Sequence, residues 1–446
     1  MKKYEIDMCN GPLFRNMFAF TVPLILTCIL QLLFNAADTI VVGKFSGERA
    51  LAAVGSTTSL VNLLLNLVIG LSMGAGVVVA RNYGAGKKVS TRNSIRTSIA
   101  VAVISGAVML FAGLFLSKPL LRLMGTPEDI INLSALYMKI YFVGMPTILL
   151  YNFGSSILRA AGDTKRPLFI LMGAGIVNVV LNLILVIIFH LGVVGVAVAT
   201  IVSETISAYF VIRILVKAEG VLHLDLKKIK IHRKSLIDII KIGLPAGAQG
   251  VLFNISNVLI QSSVNSFGYM TIAGNTAAVT IEGFIYTSTN ALCQTSMNFT
   301  SQNLGARKYR RIDFILLYSI LSTVVVGAVL GVIVYIFGYE ILKVCVSNEE
   351  AISYGLIRLG IVGISYSLCG IMDVTVSSLR GLGFSLLPTI VCLFGACVFR
   401  IVWIFTVFKA HHSLRILYMS YPLSWTLSSI ILISGYMVIR KKTFRI

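Results

Sequence analysis

Of the seventeen acidic residues in the 446-residue chain, Asp38, Glu204, Glu282 and Asp373 stand well inside long apolar runs. An ionised side chain at the centre of a bilayer costs about 2.5–3.5 kcal/mol on insertion scales, so a carboxylate kept there is read first as functional. Asp38 has the best organised surroundings. Gln31, Asn35 and Asp38 recur at i, i+4 and i+7 and share one helical face. Asn178 and Asn182 are four residues apart, as are Thr200 and Glu204, and these pairs are spaced to close a polar network around the carboxylate. The chemistry on offer is charge switching: a proton or Na⁺ neutralises Asp38, and binding or release of another solute follows its charge state. Pro23, fifteen residues earlier, interrupts helical hydrogen bonding and is a candidate hinge. The competing reading makes Asp38 a buried hydrogen-bond partner that locks helix packing.

Other chemistry is poorly supported. No nucleophile, base and orienting group are spaced for catalysis, and neither HExxH nor GxxxxGK[ST] occurs, which argues against an enzyme and against ATP hydrolysis by the chain itself. The seven cysteines show no CxxC spacing and no histidine at ligand distance, so they read as small buried hydrophobes. No cofactor is implied, and no metal beyond Na⁺ at Asp38, should the coupling ion be Na⁺ and not H⁺.

These groups need apolar helices to carry them. The chain is 57% hydrophobic and 12% charged, with mean hydropathy +0.90, whereas a soluble protein keeps roughly 25% charged residues. Most of its surface must face lipid. The net charge of +21 does not indicate nucleic acid, because Lys and Arg come in short clusters between apolar runs and form no stripe with interleaved aromatics. A spanning helix needs about 20 predominantly apolar residues. Twelve stretches qualify: 17–42, 52–80, 95–117, 132–158, 167–190, 194–217, 240–265, 272–299, 313–337, 352–378, 386–408 and 418–439. The first is far longer than a signal-peptide core and lacks a small-residue cleavage pattern, so it is expected to remain as a span.

Placing the N-terminus in the cytoplasm puts most of the 38 Lys and Arg residues on that side, including Lys2, Lys3, Lys87, Lys88, Arg307, Lys308, Arg310, Arg311 and Arg445. The asymmetry predicts a cytoplasmic-membrane protein with both termini inside. Residues 218–239, polar and basic, read as a cytoplasmic linker between an N-terminal lobe (1–217) and a C-terminal lobe (240–446), its lysines suited to the anionic inner leaflet. Lys139 and Arg358 are expected to snorkel from span ends, Arg400 to pair with an acid, and Asp373 with Arg380.

The halves repeat at an offset of 221 to 222 residues. Asn82-Tyr-Gly-Ala-Gly-Lys87 matches Asn303-Leu-Gly-Ala-Arg-Lys308, and Thr126-Pro-Glu-Asp129 matches Ser347-Asn-Glu-Glu350. Leu158-Arg-Ala-Ala-Gly162, followed by Pro167, matches Leu379-Arg-Gly-Leu-Gly383, followed by Pro388. Six spans per half give both halves the same orientation, so the repeat axis lies along the membrane normal. The expected fold is an all-α membrane protein of twelve transmembrane helices in two pseudo-symmetric six-helix bundles around a central cleft. Rocking of the bundles would give alternating access, and a monomer is expected.

The chain resembles the multidrug and toxic compound extrusion (MATE) family. Asn35-Ala-Ala-Asp38-Thr39 with Val42-Gly43 carries the resemblance, together with the Asn-x-Gly-Ala tetrads ending spans two and eight and the Leu-Arg-x-x-Gly motifs after spans four and ten. The likeness covers essentially the whole chain, and within the family the chain resembles the bacterial groups with DNA-damage-inducible and staphylococcal-type multidrug exporters more than the eukaryotic transporters. It implies V-shaped lobes and antiport, with H⁺ or Na⁺ entering while bulky, often cationic amphipathic compounds leave. It also implies a cation site at Asp38, Asn178, Asn182 and Thr200. Several relatives carry a second aspartate at Asn182 and often an amide at Glu204, so an exchange of acid and amide would make Glu204 part of the site. Glu282 and Asp373 are further coupling candidates in the C-terminal lobe.

Aromatic and Met side chains suit a pocket that repacks around different solutes. Met73, Tyr141, Met145, Tyr151, Phe153, Phe284 and Tyr286 are candidates, as are the polar Gln31, Asn35, Asn152, Asn254, Asn257 and Gln261. The alternative function is that of a flippase for a lipid-linked sugar precursor, whose cleft should offer several Arg or Lys to a pyrophosphate. Here the intramembrane ionisable groups lean acidic.

Overall fold

The computed structural model describes residues 4–443. Lys2, Lys3 and Arg445, counted above among the bases that set orientation, lie outside the described residues. Fifteen α-helical pieces follow in order: α1 (Leu13–Phe45), α2 (Glu48–Gly84), α3 (Lys88–Leu123), α4 (Glu128–Val143), α5 (Met145–Ala160), α6 (Lys165–Leu183), α7 (Gly192–Val216), α8 (Arg233–Asn265), α9 (Tyr269–Gly305), α10 (Tyr309–Cys345), α11 (Glu349–Arg358), α12 (Tyr366–Gly381), α13 (Leu386–Cys392), α14 (Phe399–Trp403) and α15 (Leu414–Thr443). Wider π-helical turns extend α6, α11 and α14 and join α13 to α14.

Among the described residues nine helices are long and apolar enough to cross a membrane, and eleven if each of two bent pairs is one span. The bent pairs are the expected fourth and tenth spans. α4 and α5 meet at 47°, where Gly144 precedes Pro146, and a proline cannot supply the helical N–H. The repeat-related α11 and α12 meet at 44° after a π-helical turn, a wider ring that also disturbs the helical ladder. The expected twelve is reached only by adding α9, 37 residues long but rich in buried Thr, Ser and Asn.

The sequence repeat appears as repeated helix stops. In Asn82–Lys87, Gly86 takes φ +67°, its N–H donates to Tyr83 O, and Lys87 N–H donates to Asn82 O. The counterpart has Arg307 at φ +57°, with donation to Leu304 O and from Lys308 N–H to Asn303 O. Both are left-handed caps that satisfy the last carbonyls of a helix. The Leu-Arg-x-x-Gly motifs do the same after α5 and α12, with Gly162 at φ +99° and Gly383 at φ +93°.

The chain divides into two compact units. Unit 1 takes Phe18–Gly247 with the N-terminal segment to Gly11, and unit 2 takes Pro12–Met17 with the residues from Ala248 on. Unit 1 has a core around Val79, Ile95, Leu158 and Val211, and unit 2 one around Ile312, Met372, Val376 and Tyr418. The basic segment 218–239 is packed within unit 1. Leu222 and Leu224 are buried in its core, the Arg92 guanidinium donates to Gly220 O at 2.9 Å, and His232 N–H donates to Thr97 Oγ1 at 3.0 Å. Lys227, Lys228 and Lys230 stay exposed. In the same segment, the Lys228 side chain beside Asp225 holds that carboxyl below its usual range.

Residues 233–247 of α8 cross α2 within unit 1 through facing glycines. Gly70 and Gly74 meet Gly243 and Gly247 so closely that a Cβ on any of the four would strike backbone of the other helix. Such small-residue faces allow close van der Waals approach where lipid supplies no hydrophobic drive between helices. The Arg81–Asp238 ion pair, at 2.7 Å, closes the same crossing. Gly74→Leu or Gly243→Leu should therefore destabilise the protein by about 1–3 kcal/mol or more and reduce monodisperse material in detergent chromatography. Gly173→Ala, on α6 with no neighbouring atom near the new Cβ, should behave as wild type.

Candidate functional site

Three helices of unit 1 bring the expected polar residues together. α1 presents Asp38, α6 presents Asn178 and Asn182, and α7 presents Thr200. The Asn182 amide donates to Asp38 Oδ1 at 2.5 Å and to Asn178 Oδ1 at 3.2 Å. Thr200 Oγ1 lies 3.4 Å from Asp38 Oδ2 and 3.0 Å from Val196 O. Asn178 and Asn182 are 4% and 0% exposed, while Asp38 is half-buried. The i, i+4 spacing on α6 stacks the two amides, so one orients the other toward the acid. Gly175 brings α1 and α6 close, because the Phe34 ring occupies the space a Cβ would need.

Among the described residues Asp38 has no Lys, Arg or His within ion-pair distance, so only neutral donors hold it. Glu204 lies one helical turn beyond Thr200. It makes no ion pair, and its Oε2 is buried without a hydrogen-bond partner; the Asn182 Oδ1 is likewise unpartnered. Two acceptor oxygens, one on α6 and one on α7, thus stand without a donor. Tyr137 and Tyr141 stand near the carboxylates with ring centroids 6.2 Å apart. Gln31 and Asn35 are exposed on the Asp38 face of α1, as their spacing implies, and Met73 and Asn152 are half-buried. Thr27 Oγ1 donates to Pro23 O at 2.7 Å, a side-chain bond at the proline position of α1.

Met145, Tyr151 and Phe153, expected at a solute-binding surface, are instead buried within unit 1, at 0%, 2% and 0% exposure. The α4–α5 bend turns this face of α5 into the core beside α3 and α7, leaving these side chains no free surface in this conformation.

Glu282 in unit 2 is held differently. Glu282 on α9 receives Arg358 from α11 in a fork, Nε to Oε1 at 2.9 Å and Nη2 to Oε2 at 2.8 Å. Arg358 Nη1 donates to Asn275 Oδ1 at 3.0 Å, and the Tyr418 hydroxyl donates to the same oxygen at 3.0 Å. The Asn275 amide passes the chain to Gln261, and Gln261 to Asn265, each at 2.9 Å. Arg358 is 5% exposed and Glu282 2%, so the expected snorkelling of Arg358 is incorrect: its charge is matched in place. Sequence reading misses Asn275 and Tyr418. The available signal was Arg358 itself, the only base in the run 352–378.

Arg400, expected to meet an acid, instead lies over the Tyr421 and Trp425 rings at 4.2 and 5.6 Å and donates to Ser424 Oγ at 3.0 Å. Delocalised charge on an aromatic face substitutes for a carboxylate. Asp373 makes no ion pair with Arg380 among the described residues. Its Oδ2 faces the Cys369 thiol at 3.8 Å, and Arg380 reaches Gln249 Oε1 at 2.9 Å. Phe284 faces a groove of about 620 Å³ beside α10, on the other side of α9 from Tyr286. Asn254 is half-buried and Asn257 exposed.

Repeated helical halves with uncompensated acids inside apolar helices are the architecture of a membrane transporter. The sequence model of the MatE family matches residues 23–184 and 245–406, one match in each half, and the chain belongs to that family. It is 28% identical to the probable multidrug resistance protein YoeA of Bacillus subtilis (strain 168), over 96% of this chain and 94% of that one. It is 23% identical to the multidrug export protein MepA of Staphylococcus aureus (strain MSSA476), over 89% and 88%. An outward-facing multidrug resistance MATE family transporter of the MOP superfamily shares the fold, with TM-score 0.91 at 22% identity over 98% of each chain.

Removing one partner of a buried pair costs about 3–5 kcal/mol, because the other charge stays behind. Glu282→Gln and Arg358→Met should each lower the yield of folded protein and its melting temperature. The double variant should recover most of the loss, measured by thermal unfolding in detergent.

Proposed function

We propose that the protein is an ion-coupled exporter in which H⁺ or Na⁺ entry drives amphipathic, often cationic compounds outward across the cytoplasmic membrane by alternating access. The observation that carries this reading is the state of Asp38, an acid among apolar helices held by Asn182 and Thr200 with no basic side chain in ion-pair reach among the described residues. A carboxylate so placed is relieved by a proton or by Na⁺. The unpartnered oxygens of Asn182 and Glu204 offer further acceptors to the same cation, which supports the exchange of acid and amide between those positions. Glu282 carries a matched charge and fits a supporting role, whereas Asp373, which makes no ion pair among the described residues, stays a second coupling candidate beside Asp38. MepA is a multidrug export protein and YoeA a probable multidrug resistance protein, and overall likeness to them supports efflux here.

The exchange takes place in a chain with both termini cytoplasmic, working as a monomer of two lobes, 1–217 and 240–446, with α1 flexing at Pro23. Exposed Gln31 and Asn35 on α1, and Tyr286 and Asn257 in unit 2, fit a solute-binding role. The flippase alternative is weakened by the fate of the buried bases: Arg358 is bound to Glu282 and Arg400 to aromatic faces, so neither is free to hold a pyrophosphate.

Asp38→Asn should abolish gradient-driven ethidium efflux, by about a hundredfold or to background, in cells lacking their own pumps, with normal protein in the membrane. Unchanged efflux would move the coupling site elsewhere. Proteoliposomes with an imposed pH or sodium gradient should show transport with one ion and not the other. Rescue of a strain lacking a lipid flippase, with no gain in dye or drug tolerance, would replace this reading with the alternative.

A further inference from the structure

We propose that a cavity at the α9–α10 turn of unit 2 binds the headgroup of an anionic phospholipid. The cavity holds about 590 Å³ and has walls of two kinds. Arg307, Lys308, Arg310 and Arg311 bring four positive charges to one side, and Leu13, Phe314 and Tyr318 form an apolar side. The apolar side is built, not incidental: Tyr318 packs edge-on against Phe14 at 5.9 Å and against Phe314 at 6.1 Å. Among the described residues no acid lines the cavity. Asp313, the acid nearest in sequence, is bound by Arg440 through two bonds of 2.7 Å, which takes up its charge.

Arg307 adds an independent observation. It sits at φ +57° in the left-handed cap that ends α9, where the repeat-related residue of unit 1 is Gly86 at φ +67°. The backbone hydrogen bonds of the two caps coincide, so the turn is the same and glycine suits it better. The chain keeps an arginine against that preference, and the side chain it gains points the explanation toward charge.

The cavity at the repeat-related turn of unit 1 offers a contrast. It holds about 450 Å³, is lined by Lys87, Ser90, Asn93 and Arg233 among other polar residues, and includes the acid Asp238 but no Phe, Tyr or Trp. The unit 2 cavity differs by pairing bases with rings. A phosphodiester fits the basic side, and the glycerol and first methylenes of its chains fit the other, which is the chemistry of an inner-leaflet lipid. The proposal rests on the cytoplasmic placement of this turn given above, but its test reads binding, not transport.

The experiment measures thermal unfolding of the purified full chain in neutral detergent with added phosphatidylglycerol, phosphatidylcholine or glycerol 3-phosphate. Phosphatidylglycerol should raise Tm saturably, and the other two should not. Arg307→Gly/Arg310→Gln should weaken the apparent affinity for phosphatidylglycerol by at least about tenfold. Arg307→Gly alone should raise Tm without lipid, by relieving the cap, while reducing the lipid-dependent shift. Lys441→Gln/Lys442→Gln, an equal loss of charge at the end of α15, should leave the shift intact. An equal response to glycerol 3-phosphate would overturn the proposal in favour of a free-anion site. So would a double Arg variant that keeps the wild-type response, or an equal loss in the Lys variant, since either would reduce the effect to diffuse charge.

Discussion

Hydrocarbon offers nothing to solvate an ion, so each charge inside a bundle must be matched, delocalised or made removable. The two units meet that constraint in different ways. In unit 2 the Glu282 carboxylate is matched by a forked guanidinium, and Arg400 spreads its charge over Tyr421 and Trp425. In unit 1 Asp38 receives only amide and hydroxyl donors, and Glu204 leaves an oxygen without a donor. A matched charge fixes a structure. An unmatched one makes the structure depend on what arrives to neutralise it, which is the dependence the proposed ion coupling requires.

The internal repeat obeys the same division. Helix ends recur at an offset of 221: the left-handed caps at 86 and 307, those at 162 and 383, and the starts of α4 and α11. Helix interiors do not. At the same offset Asp38 faces Leu259, Glu204 faces Trp425, and Glu282 faces Val61. Ends are held by backbone hydrogen-bond geometry, which both halves must satisfy identically. Interiors are held by side chains, and there the halves were free to specialise.

That distinction also separates what was legible in the sequence from what was not. Apolar run length, the repeated motifs and the i, i+4 pairs are local in sequence, and they gave the helices, the duplication and the pairs Asn178–Asn182 and Thr200–Glu204; the grouping of these with Asp38, 144 residues from Asn182, came from the family resemblance. The Glu282–Arg358 pair joins residues 76 apart, and no periodicity links them; only the three-dimensional approach of α9 and α11 does. The snorkelling expected of Arg358 failed because depth in a run says nothing about a partner on another helix. The segment 218–239 looked like a tether because its charges dominate its composition, yet Leu222 and Leu224 anchor it in unit 1. The bends at Gly144 and before Tyr366 were hidden inside runs whose hydropathy stays continuous.

The polar character of α9 bears on how the protein is made. A ribosome delivers α9 before α10, α11 and α12, the helices that pack against it. Until they emerge, its buried hydroxyls and amides and the Glu282 carboxylate have no shelter from the acyl chains. Integration of this segment must therefore wait at the translocon for later partners or be escorted by an insertase. A nascent chain truncated just after α9 would slip back to the aqueous side.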